Sequence, residues 1–290
     1  MLKLEREGNF SFSTKGDYMH EIKIEKLNEH FYRFVDASFT ACYLVIGKEK
    51  AALLDTGIGM KGFRSIVDSI TNLPLTVLLS HGHSDHIGGM HEFEDCPVYL
   101  NAKDECLLED HVNLAERLKY ACHFTNDVQL DELQEPWNMR YTPLENNQCF
   151  DLGGITVEMV AVPGHTQGMM CPLIKEDRAI IFGDACGVAV MLLNEHSSSV
   201  SEYLESLKYL QTYEDQYDTV YRNHGTFTND KDLLENVMEC CQNVLAGTDD
   251  HVERDMNGIL GYMAKAFDPS TGKNRDGKDG NLFYVMDKVK

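Results

Sequence analysis

The segment Val77-Leu78-Leu79-Ser80-His81-Gly82-His83-Ser84-Asp85-His86-Ile87-Gly88-Gly89 runs an apolar strand-like stretch straight into three histidines and an aspartate within six positions. At a strand end residues i and i+2 point the same way, so His81 and His83 are set to grip one ion. The turn that follows is free to send Asp85 and His86 to another. Imidazole and carboxylate together suit zinc, and also iron or manganese. A polar loop with clustered histidines is the plain alternative, and the strand-then-turn context argues against it.

Three more strand ends finish in groups of the same kind. Pro163-Gly164-His165-Thr166-Gln167-Gly168 follows the run Ile155 to Val162. Ile180-Ile181-Phe182-Gly183-Asp184 is β-branched and aromatic and ends in a carboxylate, and Val220-Tyr221-Arg222-Asn223-His224-Gly225 is a strand ending in a histidine.

With these residues in view, His81-Gly82-His83-Ser84-Asp85-His86 resembles the HxHxDH signature of the metallo-β-lactamase-fold metallohydrolases, over about residues 18–246. The resemblance implies an αββα sandwich, two mixed sheets flanked by helices. The pattern of elements alone says only mixed α and β. The resemblance also implies two divalent ions: His81, His83 and His165 on one, Asp85, His86 and His224 on the other, Asp184 touching both. Asp55, in Asp55-Thr56-Gly57, would lie beneath the site and accept the N–H of a ligand imidazole. In such a site a metal-bound hydroxide is the nucleophile, and Asp85 is the candidate to accept and return a proton. Two divalent ions, two aspartates and one hydroxide sum to about +1, which favours a developing oxyanion.

Acidic residues outnumber basic ones 47 to 26, a net charge of -21. Such a surface repels phosphate backbones, so a small-molecule substrate is expected rather than nucleic acid or membrane. Met1 to Glu7 holds no apolar run of signal-peptide length, and no later segment approaches a membrane span. Nine cysteines without C-x-x-C spacing read as free thiols, with simple burial expected for Cys240-Cys241. A reducing, cytoplasmic setting is the expectation.

Residues 18–55 read as antiparallel strands and 62–71 as a short helix, and Pro97 to Asn101 as the next strand of a β-α-β alternation. From about 103 to 138 the pattern turns helical, with Leu108, Val112, Ala115, Leu118 and Cys122 on one face. Residues 103–135 carry nine acidic against three basic residues. This insertion either lids the site or only packs on the sheet. Ser199-Val200-Ser201-Glu202 is a capping box opening a helix, and another amphipathic helix uses Leu233, Val237, Cys241, Val244 and Leu245. The tail from about 247 to 290 reads as a closing hairpin around a polar loop. The organisation expected is a single domain over 1–290.

The leading function is a metal-dependent hydrolase of a small ester, thioester or lactone, akin to the glyoxalase II-like and lactonase-like branches. A non-haem iron oxidoreductase resembling persulfide dioxygenases, or a phosphodiesterase, is the alternative. Lactonases that cleave acyl homoserine lactones carry a tyrosine three residues after the bridging aspartate, where Gly187 stands here. The remaining histidines, His111 among them, read as surface or packing residues, with His196 singled out for substrate contact. Met169, Met170 and Met191 suggest either an apolar acyl pocket or strand-core packing.

Overall fold

A computed structural model describes residues 20–125, 127–256, 258–271 and 273–290, with the backbone of two further strands at 2–4 and 9–12. Residues 18 and 19 and most of the stretch from 1 to 7 lie outside the described residues. The chain divides into two compact units, Met1–Val157 and Glu158–Lys290.

The first unit is built on one sheet, in the order β1 (Leu2–Leu4), β2 (Asn9–Phe12), β3 (Lys23–Lys26), β4 (Phe31–Val35), β5 (Ala41–Ile46), β6 (Ala51–Leu54), β7 (Leu75–Leu78), β8 (Val98–Leu100) and β9 (Thr142–Pro143). The first six pair antiparallel in hairpin succession; β6, β7, β8 and β9 run parallel. Helix α1 (Phe63–Ile70) makes the crossover that the parallel β6 and β7 require. It buries Phe63, Ile66 and Val67 in one core with Phe34, Leu44, Leu53, Val77 and Phe93. Strand β6 is apolar and buried at all four positions, and β7 is buried in its second half.

After β7 the chain turns at Ser80 and enters α2 (Ser84–Ile87). The insertion holds two short helices, α3 (Leu108–His111) and α4 (Leu114–Ala121), and their buried face differs from the expected one. Leu108 and Val112 are buried, but Ala115 is exposed, and α4 turns Arg117 and Ala121 inward. The Arg117 guanidinium is fully buried and donates to the carbonyls of Ile58, Gly88 and Gln134. Those bonds offset the desolvation that drives its pKa down to about 10. Gly59 makes this possible: at φ +95° a Cβ there would stand 2.3 Å from Arg117 Nη1 and from the Gly88 carbonyl oxygen. β10 (Gln148–Asp151) follows.

In the second unit β11 (Thr156–Ala161) begins at the boundary, and β12 (Met170–Ile174) and β13 (Ala179–Ile181) form a hairpin. β14 (Val190–Leu192) leads to α5 (Val200–Gln211), whose Ser199 and Glu202 form the expected capping box. β15 (Thr219–Tyr221) pairs parallel with β13 and antiparallel with β16 (Thr228–Asn229). Helix α6 (Leu233–Ala246) ends on Gly247 at φ 66°, the left-handed cap glycine favours. Ile180, Phe182 and Val220 share a core with Tyr203 and Leu207 of α5 and Val237 and Cys241 of α6. Cys240 and Cys241 are both buried, and burial pushes the Cys240 thiol up to about 12.

The tail contains β17 (Val252–Met256), β18 (Ile259–Met263), a short pair β19 (Phe267–Asp268) and β20 (Lys273–Asn274), and β21 (Leu282–Tyr284). β18 pairs antiparallel with β21, the two runs that flank the polar loop, while β17, charged and mostly exposed, pairs with β18 as an edge strand. β21 also pairs parallel with β14.

Candidate metal centre

Each unit gathers one set of metal-type ligands at its strand ends. In the first unit His81 Nε2 lies 3.0 Å from His83 Nδ1, and His86 Nε2 lies 3.6 Å from Asp85 Oδ2. In the second, Asp184 divides its oxygens: Oδ2 is 3.7 Å from His165 Nε2 and Oδ1 is 3.4 Å from His224 Nε2. Two nitrogens each bound to a tetrahedral ion of zinc's size would stand about 3.3 Å apart. The observed spacings of 3.0, 3.4, 3.6 and 3.7 Å bracket that value, so each of the four ligand pairs fits a divalent ion held between its two atoms.

The groups behind the ligands fit it too. Asp55 holds a left-handed backbone, φ 63°, at the end of β6, and its carboxylate reaches back under the motif. Its Oδ1 accepts the Ser80 backbone N–H at 2.7 Å; its Oδ2 accepts the Ser80 hydroxyl and His86 Nδ1–H, each at 2.8 Å. With its proton given to Asp55, the Ser80 hydroxyl oxygen accepts from His81 Nδ1–H at 3.0 Å. In the second unit His165 Nδ1–H donates to the Met191 carbonyl at 3.0 Å. Each of these bonds fixes a tautomer that leaves Nε2 as the lone-pair nitrogen, the arrangement metal-bound histidines need.

Side chains of the insertion hydrogen-bond to the motif. Asp104, fully buried, accepts the Gly82 N–H at 2.9 Å. His111, read from sequence as a surface or packing residue, has Nδ1 accepting the Ser84 N–H at 3.1 Å, and its ring lies 4.8 Å from that of His83. Tyr120 donates its hydroxyl to Asp85 Oδ2 at 2.8 Å, and Thr40, from the β4–β5 turn, donates to the same oxygen at 3.1 Å. Ser80, Asp104, His111, Tyr120 and Thr40 were not among the residues picked from sequence. Ser80, beside His81, carried the nearest thing to a signal. Asp36, which opens the β4–β5 turn, accepts from Ser38 and from the Ile58 N–H, and burial pushes its carboxyl up.

His196 is half-buried, with Glu195 Oε1 3.8 Å away, and Met169 and Met170 are fully buried in strand packing. At Gly187 a Cβ would stand 2.7 Å from Nη2 of the buried Arg222, so this backbone has no room for a tyrosine without moving the guanidinium.

The sequence profile of the metallo-β-lactamase superfamily matches residues 35–217. The chain belongs to the metallo-β-lactamase superfamily. Its mixed sheets and helices are the metallo-β-lactamase fold, of the α/β class. It is 32% identical over 162 residues to an uncharacterized protein of Mycobacterium tuberculosis, covering 50% of this chain and 68% of that protein. It is 24% identical over 203 residues to an acyl-coenzyme A thioesterase of Gallus gallus, 63% of this chain and 70% of that one. A metallo-β-lactamase from Pontibacter korlensis superposes with a TM-score of 0.56 at 18% identity, over 77% of this chain and 99% of the other. Superfamily members typically bind divalent metals, and the His and Asp clusters of this member could hold them. Among the described residues no helix is long and apolar enough to cross a membrane.

Proposed function

We propose that this superfamily member is a dinuclear metal-dependent hydrolase of a small ester or thioester. His81, His83 and His165 would hold one ion, Asp85, His86 and His224 the other, and Asp184 both. The observation that carries the reading is Asp184 offering one oxygen toward each of two histidines, which is what a shared carboxylate must do. When bound, divalent ions supply Lewis acidity and bring the pKa of a water to about 7.

The chain's own residues do the rest. Asp55, through Ser80 and His86, holds two imidazoles in the ligand tautomer, and the Met191 carbonyl does so for His165. Asp85 takes up and returns the proton of the reaction while Thr40 and Tyr120 hold its Oδ2. The thioesterase among the relatives supports an acyl substrate, and the Arg222 guanidinium against Gly187 weighs against the lactonase tyrosine. We assign the ions to zinc, and free thiols at all nine cysteines support a cytoplasmic setting.

Metal analysis of purified protein, with ester, thioester, lactone and phosphodiester assays before and after chelation, tests this. About two ions per chain and hydrolysis lost on stripping and regained on reloading are expected. Full activity in stripped protein would overturn the mechanism, and oxygen uptake in place of hydrolysis would move the assignment to the iron oxidoreductases.

A further inference from the structure

Three aromatic rings stand in a row beside Asp85, all within the first unit. Tyr120 lies on α4 and Phe124 just beyond its end, with ring centroids 5.4 Å apart. Phe39, at the tip of the β4–β5 turn, is 6.3 Å from Phe124. Phe39 is 49% exposed and Phe124 45%, while Tyr120 is half-buried, so two of the three side chains are open to solvent.

Both ends of the row are tied to one atom. Tyr120 and Thr40, the residue after Phe39, both donate to Asp85 Oδ2. The turn that carries Phe39 is held in shape: its N–H bonds the Asp36 carbonyl at 3.0 Å, the Asp36 carboxylate accepts the Ser38 N–H at 2.9 Å, and Phe39 sits at φ 56°. A rigid turn spent on pointing a phenylalanine outward is poor economy for a core residue. Single exposed apolar residues are ordinary, but a contiguous aromatic face beside a reactive carboxylate is what an apolar ligand covers.

We infer that Phe39, Phe124 and the ring of Tyr120 receive the apolar acyl or aryl portion of the substrate, and that Tyr120, through its hydroxyl, is a positioning residue for Asp85. The inference deepens the hydrolase reading and rests on it for the reaction, though not for the binding. It names the substrate class as esters or thioesters whose acyl group is apolar and longer than acetyl.

The test runs on the metal-loaded full chain with p-nitrophenyl esters from acetyl to hexanoyl, and in parallel with octanoate binding by calorimetry. For the natural sequence kcat/KM should rise about two- to fourfold for each added methylene. Phe39→Ala and Phe124→Ala should each flatten that rise and weaken octanoate binding, with Phe124→Leu recovering part of both. Tyr120→Phe should keep the rise and the octanoate affinity while kcat falls about tenfold at unchanged KM, the loss of one hydrogen bond to a charged group. If no ester is hydrolysed but octanoate binds and Phe124→Ala weakens it, the apolar face stands and the hydrolase reading fails. An unchanged chain-length dependence and octanoate affinity in both alanine variants would overturn the assignment of the face, and an unchanged kcat in Tyr120→Phe that of the positioning role.

Discussion

Asp55 and His86 form a buried hydrogen bond, Oδ2 to Nδ1 at 2.8 Å, that joins the end of β6 to the motif after β7. The two residues lie 31 positions apart. Asp55→Asn is the informative change, because asparagine also tolerates φ near 63° while its single acceptor oxygen cannot take all three bonds and its NH2 must face either the Ser80 N–H or the Ser80 hydroxyl and His86 Nδ1–H. Metal affinity should fall about 10- to 100-fold. Competition with a chromophoric chelator would read this, and an unchanged affinity would remove Asp55 from the site.

Asp184→Asn keeps the shape of the side chain and removes its charge. Hydrolysis should be lost and the ion content should drop below two per chain, with the circular dichroism spectrum unchanged. A folded, fully loaded and active variant would contradict the shared-carboxylate assignment.

Arg117 is a structural matter. Arg117→Ala would strand the carbonyls of Ile58, Gly88 and Gln134 and open a cavity, a loss of about 2–4 kcal/mol. Arg117→Lys should recover only part of it, since an ammonium cannot span the same fork. Chemical denaturation midpoints decide this, and a cost under about 0.5 kcal/mol would be that of an ordinary surface change.

His20 is clamped between two carboxylates, Nε2 3.0 Å from Asp127 and Nδ1 3.1 Å from Glu132. Burial works to lower its pKa, but the hydrogen bonds to Asp127 and Glu132 outweigh it and hold the value above 6.5. The stabilisation by the charged ring is therefore complete below about 6.5 and lost as pH rises through the raised folded-state value. The melting temperature of the natural protein, less that of His20→Gln, should fall across that window. A difference independent of pH would show that the clamp contributes nothing through charge.

Much of the architecture was legible because it is local. An apolar run that ends in a histidine motif, a Ser199 to Glu202 capping box and a stripe at helical spacing from Leu233 to Val244 each carry their signal within a few residues. The same reasoning misjudged α4, where a buried arginine breaks the apolar stripe and has no local mark. It also passed over β17, whose charged alternation resembles a loop.

Four of the seven ligand candidates stand in one motif whose spacing marks them, and the resemblance to the family supplies the other three; the structure places those four together in the first unit and the three in the second. What supports them was not readable in advance. Tyr120 reaches Asp85 across 35 positions and Thr40 across 45, and a hydrogen bond between distant residues leaves no periodicity in the chain. Sequence determined which side chains carry donor chemistry and that they stand at strand ends, since both follow from residue type and neighbouring pattern. Only the tertiary structure decided which nitrogen each imidazole presents, which hydroxyls steady Asp85 and which aromatic rings face water beside it, because those depend on the partners that folding brings within 3 Å or so.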